Sequence, residues 1–520
     1  MRPHAGFLAV AFAVAATAAA RGSQTTIAAP AFRADSATSL SAAVTREVAA
    51  RHPGGVVAVC VMSADSGAVL VDIEADKPLK PASTNKLHTT AAALDLLGPD
   101  FRFETKLVAW GSVTTAPGEA SGVLAGDLAV IGGGDPTISA RFEADKRDTT
   151  AVFRRWAARL KAVGVTTVTG DLVVDDAVFD GEWFHPTWSD GERAEWYEAE
   201  VSGLAFNDNC LDLHFSAEGL LPGAPAALAV EPVTVYARVE NRVTVSATGR
   251  PAGRGYKRAA DGNAIVAEGS VAVGLKKDDS AAVHDGAMYA GTVLKETLAR
   301  EGIAVAGRVR RALAYESAWG AEDRKAPLAI ATTETLLVVH QSPPLSEIVA
   351  VINRNSQNFY AECLLKTLGR RVAGRGSFTA GAGVVRGWLG DRGLLRDGFA
   401  MVDGSGLSAE NRVSARQLAG LARAMDRGGR AKVWRDSLPI GGERGSLKRR
   451  FQDTVESRAL APQIYGKTGL IGGVRSLAGM IVAPDGRTLY FAVLVNEFTK
   501  NEDTATACID AVALALARGE

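Results

Sequence analysis

Between residue 104 and about residue 325 the chain changes texture, and beyond that point it changes back. Within the stretch, short runs rich in Val, Thr and Leu are separated by glycine turns: "LAGDLAVIGGGD", "VTGDLVVDDAVFD", "PVTVYARVENRVTVSATG" and "NAIVAEGSVAVGL". β-Branched runs between Gly and Asp punctuation predict strands. Two helical patterns interrupt them, one with Phe153, Trp156, Ala157 and Leu160 on a face and one with Ala290, Leu294 and Leu298. Outside the stretch strands occur near both chain ends. "GVVAVCVMSADSGAVLVDI" (55–73) reads as a hairpin turning at Asp65, Ser66 and Gly67. "VRSLAGMIVAPDGRTLYFAVLVNEF" reads as another, turning at Pro484-Asp485-Gly486, and a closing helix follows. Strands from the two ends can pair as one antiparallel sheet with helices on it. The expectation is an α+β layer fold, with one or two β-rich modules along the stretch from 104 to about 325.

The remaining segments supply helices. One begins near Ser83, with Leu87, Ala91 and Leu94 on one stripe and a stop at Gly98. "PPLSEIVAVINRNSQNFYAECLLKTLG" places prolines before a Ser346 cap, a helix, a polar break from Asn353 to Asn358, and a second helix. "SARQLAGLARAMDRG" is helical as well.

The 520 residues, 47% of them hydrophobic, suffice for about three domains. With 58 basic and 58 acidic side chains the net charge is zero, which argues against a nucleic-acid binder, since that needs a basic face. The first residues, "MRPHAGFLAVAFAVAATAAARG", put Arg2 before an apolar run from Phe7 to Ala20 that ends in small residues. This reads as a secretory signal peptide over residues 1–20, too short for a membrane span. No cysteine precedes Cys60, so no lipid-modified cysteine follows the signal. The expected product is exported, periplasmic or secreted, with no transmembrane anchor. Cys60, Cys210, Cys363 and Cys508 are far apart and read as buried thiols. The seven histidines show no metal-binding spacing, so no metal site and no cofactor is expected.

Three short motifs carry chemistry. Lys86 is the only lysine with a serine three residues before it, Ser83, and on a helix such residues are neighbours. An amine beside a hydroxyl can serve as its base if burial lowers the lysine pKa. Taken alone, Ser83 reads equally as a helix cap. Ser356-Gln357-Asn358 sits in the polar break, and Gly466-Lys467-Thr468-Gly469 on a strand. The latter is no phosphate loop, because Ala461 stands where that motif needs glycine and no helix follows.

Together, in this order and on these elements, Ser83-x-x-Lys86, Ser356-x-Asn358 and Lys467-Thr468-Gly469 resemble the penicillin-recognising serine peptidases. "PASTNKL", "GGGDPT", "SPPLSEIV", "NRNSQNFYAE" and "VDGSGLS" narrow the resemblance. They match the class C low-molecular-mass penicillin-binding proteins, the D-alanyl-D-alanine carboxypeptidase/endopeptidase family. The resemblance implies a penicillin-binding/β-lactamase-like catalytic domain in two parts, 36–103 and 326–520. It also implies two β-rich domains over 104–325, one nested in the other, which fits the 273 positions between Ser83 and Ser356.

Catalytic roles follow from the resemblance for Ser83 as nucleophile, Lys86 as base, and Ser356 as proton relay in contact with both lysines. Asn358, Lys467, Thr468 and Gly469 would bind substrate. The N–H groups of Ser83 and Leu470 would form an oxyanion hole. The implied partners are peptidoglycan peptides and β-lactams, the latter as covalent inhibitors. Leu470 departs from the family pattern, which often has a hydroxyl there. Asp403-Gly404-Ser405-Gly406-Leu407 reads as a glycine-rich turn near the site or as part of its chemistry. Asp135 and Pro136 read as turn formers. The alternatives are a β-lactamase or D-amino-acid amidase of the same fold, or a binding module that has lost catalysis.

Overall fold

A computed structural model describes residues 34–115, 121–247, 255–314, 316–319, 334–483 and 486–519. The expected signal segment, and Pro484 and Asp485 of the expected turn, lie outside the described residues. Among the described residues no helix is long and apolar enough to cross a membrane.

Strands from both chain ends do pair. The five-stranded sheet runs Ile464–Ile471, Val474–Val482, Thr488–Asn496, Val56–Ser63, Val69–Ile73, antiparallel at every contact, with Val56 opposite Asn496 and Ser63 opposite Leu489. Its central strands are buried on both faces, and the period of two sorts their side chains. Val57, Val59, Val61, Phe491, Val493 and Val495 meet the helices Ala34–Ala50 and Glu502–Arg518, through Leu40, Val44, Ile509, Val512 and Leu516. Ala58, Cys60, Ala478 and Ala492 face the other way. These small residues let the helix Ala415–Arg427 seat Leu418, Leu421, Ala422 and Met425 against the sheet. Each Val, Leu or Phe so buried contributes roughly 1.5–3 kcal/mol.

Inside that second layer lies the helix Lys86–Leu96. The sequence pattern implies one buried stripe, yet every residue from Lys86 to Leu94 is buried. Its composition explains this: Thr89, Thr90, Ala91, Ala92 and Ala93 are small enough for neighbours to close in on all sides. The helix ends as expected, with Gly98 at φ 86. The helices Leu345–Asn355 and Asn358–Ala373 follow one another with only Ser356 and Gln357 between them, a tighter break than expected. Pro344, not Ser346, occupies the cap position of the first.

The remaining strands form three further sheets among the described residues. Cys210–Ser216, Ala227–Glu231 and Lys276–Ala282 make one; Arg238–Ser246, Gly255–Lys257 and Ala264–Ala272 make another. Strands on either side of these in sequence form a seven-stranded sheet around Gly122–Ile131, which pairs antiparallel with Glu104–Thr115 and parallel with Val165–Val168 and Leu172–Asp175. One boundary differs from expectation. Glu334–Gln341, expected to belong with residues 326–520, pairs antiparallel with Glu104–Thr115, Gln341 opposite Glu104. "ETLLVVHQ" announces a strand but carries no mark of which sheet edge it completes. All four cysteines are free and buried.

Candidate active site

Ser83 lies in a 3-10 turn, Ala82–Asn85, that runs straight into the helix at Lys86. The cap reading of Ser83 fails, because its side chain accepts no backbone N–H of the first turn; it faces the Lys86 amine at 2.8 Å. The turn is clamped from two sides. A Cβ on Gly469 would overlap Ser476 Oγ and come within 2.6 Å of Pro81 O. One on Gly406 would overlap Ala82 O and come within 2.8 Å of Asn85 Cβ. Ala82 between them is held in the left-handed region, φ 49, a conformation alanine resists by roughly 1–2 kcal/mol. Strain of this kind persists only where the surroundings over-determine the backbone.

The Lys86 amine is fully buried and has three neighbours: Ser83 Oγ at 2.8 Å, Asn358 Oδ1 at 2.6 Å and Ser405 O at 2.9 Å. Asn358 Oδ1 is assigned by its partner atom, since Nδ2 donates to Tyr197 O at 2.8 Å. Two of the three neighbours are therefore pure acceptors. A neutral amine has two N–H bonds and one lone pair. Its N–H bonds must go to Asn358 and Ser405, which leaves the lone pair facing the Ser83 hydroxyl. Burial favours this neutral form and brings the Lys86 pKa down to about 7, against the opposing pull of Glu362 and Asp403.

Lys467 is also fully buried and donates to Ser356 Oγ at 2.8 Å and to Thr468 O at 2.7 Å. Burial, and after it repulsion from Lys86 whenever that amine is protonated, push it well below the usual lysine range. Thr468 Oγ1 donates to Ser446 Oγ at 2.7 Å. Ser83, Ser356, Asn358, Thr468 and Leu470 line a single cleft of about 670 Å³. The expected contact of Ser356 with both lysines is half realised: it bonds Lys467, whereas the three partners of Lys86 are Ser83, Asn358 and Ser405.

The strand Ile464–Ile471 is a sheet edge. Gly441 N donates to Ile464 O, and Gly466 N to Pro439 O, so these residues turn their backbone groups outward. Backbone direction alternates along an antiparallel strand. Thr468 and Leu470 thus present their N–H and C=O groups to the same side, past the segment that 439–441 covers. Leu470 is 64% exposed, and by the same alternation its N–H faces the open edge. The missing side chain of Gly469 makes room for Ser476, Pro81 and Ala82.

The sequence profile of the D-Ala-D-Ala carboxypeptidase 3 (S13) family matches residues 40–518. The chain belongs to that family. It is similar to a D-alanyl-D-alanine carboxypeptidase of an Actinomadura species, 31% identical over 474 residues, which cover 89% of this chain and 81% of that protein. A D-alanyl-D-alanine carboxypeptidase of Haemophilus influenzae is 24% identical over 84% of both chains. Among solved structures, penicillin binding protein 4 of Haemophilus influenzae shares the fold, with a TM-score of 0.74 over 91% of this chain and 98% of that one, at 22% identity.

Several groups in this S13 site have no motif to announce them. Glu362 is fully buried and accepts the N–H groups of Gly404 and Ser405, at 2.7 Å each, so it holds the carbonyl that meets Lys86. Burial and the charge of Asp403 raise its pKa. Asp403 accepts from Trp188 Nε1, Gly406 N, Ser408 N and Asn411 Nδ2, which fixes the loop on which Ser405 sits. The loop Asp403–Leu407 touches the lysine through the Ser405 carbonyl. The opposite cleft wall comes from within the β-rich stretch, from Trp188, Glu192, Trp196, Tyr197 and Glu198. Burial raises Glu198 to about 8. The segment that leads into this wall is held by the buried Lys366, which donates to Asp180 Oδ1 at 2.8 Å and Glu182 O at 2.6 Å. Asp135 does form a turn, accepting from Thr137 N and Oγ1. Among the described residues no cluster of His, Cys, Asp and Glu could hold a metal ion.

Proposed function

We propose that this protein is an exported serine-type D-alanyl-D-alanine carboxypeptidase that acts on peptidoglycan stem peptides through an acyl-enzyme on Ser83. The observation that carries the reading is the Lys86 amine, buried among two pure acceptors with its lone pair left for the Ser83 hydroxyl. Lys86 takes the hydroxyl proton as Ser83 Oγ attacks the carbonyl of the D-Ala-D-Ala bond. The N–H groups of Ser83 and Leu470 receive the developing oxyanion, a contribution of a few kcal/mol for such preorganised donors. The substrate lies along the open edge of Ile464–Ile471 as an added strand. Its terminal carboxylate lies against Thr468, whose hydroxyl suits it, and near the buried Lys467, where an arriving anion favours the charged amine that burial disfavours, with Gly469 keeping that strand close to the Ser83 turn. Ser446, bonded to Thr468, supplies a second hydroxyl near that point, where Leu470 has none. Ser356 gives its hydroxyl proton to the departing D-alanine amine and regains one from the Lys467 amine that is bonded to it, and Asn358 orients both Lys86 and the peptide. Water then hydrolyses the ester. The same residues can cut a cross-link whose leaving amine belongs to another stem peptide.

β-Lactams carry a strained amide beside a carboxylate and enter the same site. Their leaving group stays tethered, so a long-lived Ser83 adduct is expected. Residues 1–20 are the export signal in this reading. The stretch 104–325, with Glu334–Gln341 completing its largest sheet, forms two β-rich domains, residues 210–282 nested within the other; the chain order of the sheets supports this. Intact-mass spectrometry with benzylpenicillin, together with D-alanine release from a stem pentapeptide, tests the function. The parent should gain one adduct and release D-alanine, and Ser83→Ala should do neither. An adduct on Ser83→Ala, or none on the parent, would overturn it.

A further inference from the structure

The two-residue break that carries Ser356, just before Asn358 opens the next helix, is gripped by a residue far away in sequence. Gln357 is 6% exposed; its Nε2 donates to Asp208 Oδ2 at 2.8 Å, while its Oε1 is buried with no partner among the described residues. That amide is therefore oriented by Asp208 alone. Asp208 in turn accepts from Arg141 Nη2 at 2.7 Å, and Arg141 stands 5.6 Å over the Tyr360 ring. The carboxylate is thus aimed, paired with a guanidinium and bonded to a neutral amide, a stronger bond than one between two neutral groups.

The backbone on both sides of this bond is unusual. Asn207, Asp208 and Asn209 are consecutive left-handed residues, with φ 50, 56 and 54. Asn and Asp tolerate that region best, but normally singly. Here side chains enforce the run: Asn209 Oδ1 accepts from Phe206 N, Asn209 Nδ2 donates to Glu200 O, and Asn207 Nδ2 donates to Cys210 O. Across from it Ser356 is left-handed too, φ 58, where the helix Leu345–Asn355 ends. Two strained turns meet through one side-chain bond, and the residue that makes it sits between Ser356 and Asn358.

We propose that Asp208 is a positioning residue for Ser356: through Gln357 it holds the turn that aims the Ser356 hydroxyl at Lys467 and at the leaving amine. This rests on the proton-relay role given to Ser356 above. Asn358 is held independently, by Tyr197 O, so loss of the Asp208 bond should misaim Ser356 while Lys86 keeps its partners. The consequence depends on the leaving group. An amide C–N bond breaks only as its nitrogen gains a proton, whereas a thiolate leaves without one.

The test compares kcat/KM, which reports the steps through acylation, on two substrates with the same acyl part and a leaving-side carboxylate. One is a D-Ala-D-Ala peptide and the other its thioester analogue. In the full-length protein, Gln357→Leu should lower the peptide value ~10- to 100-fold, the scale of a sub-ångström misplacement, and leave the thioester within about threefold. Asp208→Gly removes the acceptor with a residue at ease in the left-handed region, and should repeat that split. Asp208→Asn keeps an acceptor and should restore most of the loss. Equal losses on both substrates, no loss on either, or D208N as impaired as D208G would overturn the proposal. A parent enzyme inactive on both substrates would overturn instead the function on which it rests.

Discussion

Replacing Gly469 by alanine adds one methyl group at the place where the edge strand touches the nucleophile's turn. The new Cβ would overlap Ser476 Oγ, lie 2.6 Å from Pro81 O and 3.1 Å from Ala82 Cβ. Ser476 can rotate, at the loss of its 2.7 Å bond to Pro81 O. Pro81 O is main chain and already accepts from Thr84 Oγ1 at 2.7 Å, so it cannot swing away. Reaching an ordinary contact requires the strand to retreat by roughly 0.4–0.8 Å, which is overpacking of a kind that destabilises by about 1–3 kcal/mol. The same retreat carries Thr468 and the Leu470 N–H away from Ser83. A displacement near 1 Å can reduce rate ~100-fold, so about tenfold or more should be lost from kcat/KM on a D-Ala-D-Ala peptide and from the rate of acylation by benzylpenicillin. The two should fall together, because both need the oxyanion donors. Ser476→Ala in the Gly469→Ala background should recover part of the loss, since it removes one obstacle and leaves Pro81. Gly387→Ala is the control: its added Cβ meets nothing within 4 Å, and on a helix it should be neutral or slightly stabilising. A Gly469→Ala enzyme with parental rates and parental unfolding would refute the steric argument.

Other predictions concern the buried bases. Lys467→Ala should reduce hydrolysis of peptides with a free terminal carboxylate far more than that of a neutral ester, and steady-state kinetics showing equal losses would count against its assignment. Lys86 works deprotonated, and burial brings its pKa to about 7. kcat/KM on a neutral ester should therefore rise with pH along a limb near 7 and level off above it; a limb near 10 would contradict the neutral-amine reading. His88 is fully buried, and burial lowers its pKa to about 4 from an ordinary 6.5. Between those values the unfolded chain binds the extra proton, so stability falls as pH drops through that window, by up to about 3 kcal/mol at pH 4. Chemical denaturation across pH 4–7 should show this, with a shallower slope in His88→Gln.

Much of the site was legible in the chain because its chemistry is short-range. A serine three residues before a lysine at a helix start lies on the same face, so the hydroxyl is within reach of the amine. The alternation in "VVAVCVMS" likewise fixes a strand buried on both faces, with Val57, Val59 and Val61 on one side and Ala58 and Cys60 on the other. Turn chemistry marked Gly98 as a helix stop.

What the sequence did not carry are contacts between residues that no local rule relates. Glu362 looks like any helical glutamate, and Ser405 like any turn residue; only packing brings the carbonyl of Ser405 to Lys86 and the Glu362 carboxylate behind it. Glu334–Gln341 was readable as a strand, but its partner is a strand more than two hundred residues earlier. Asp208 and Gln357 are separated by 149 positions and meet through one side-chain bond. Local sequence determines which conformations and which chemical groups are available, because propensity, periodicity and capping act over a few residues. Which groups then share a buried space depends on how distant elements close over one another, and in this protein that closure lowers the Lys86 pKa and sets its amine against Ser83.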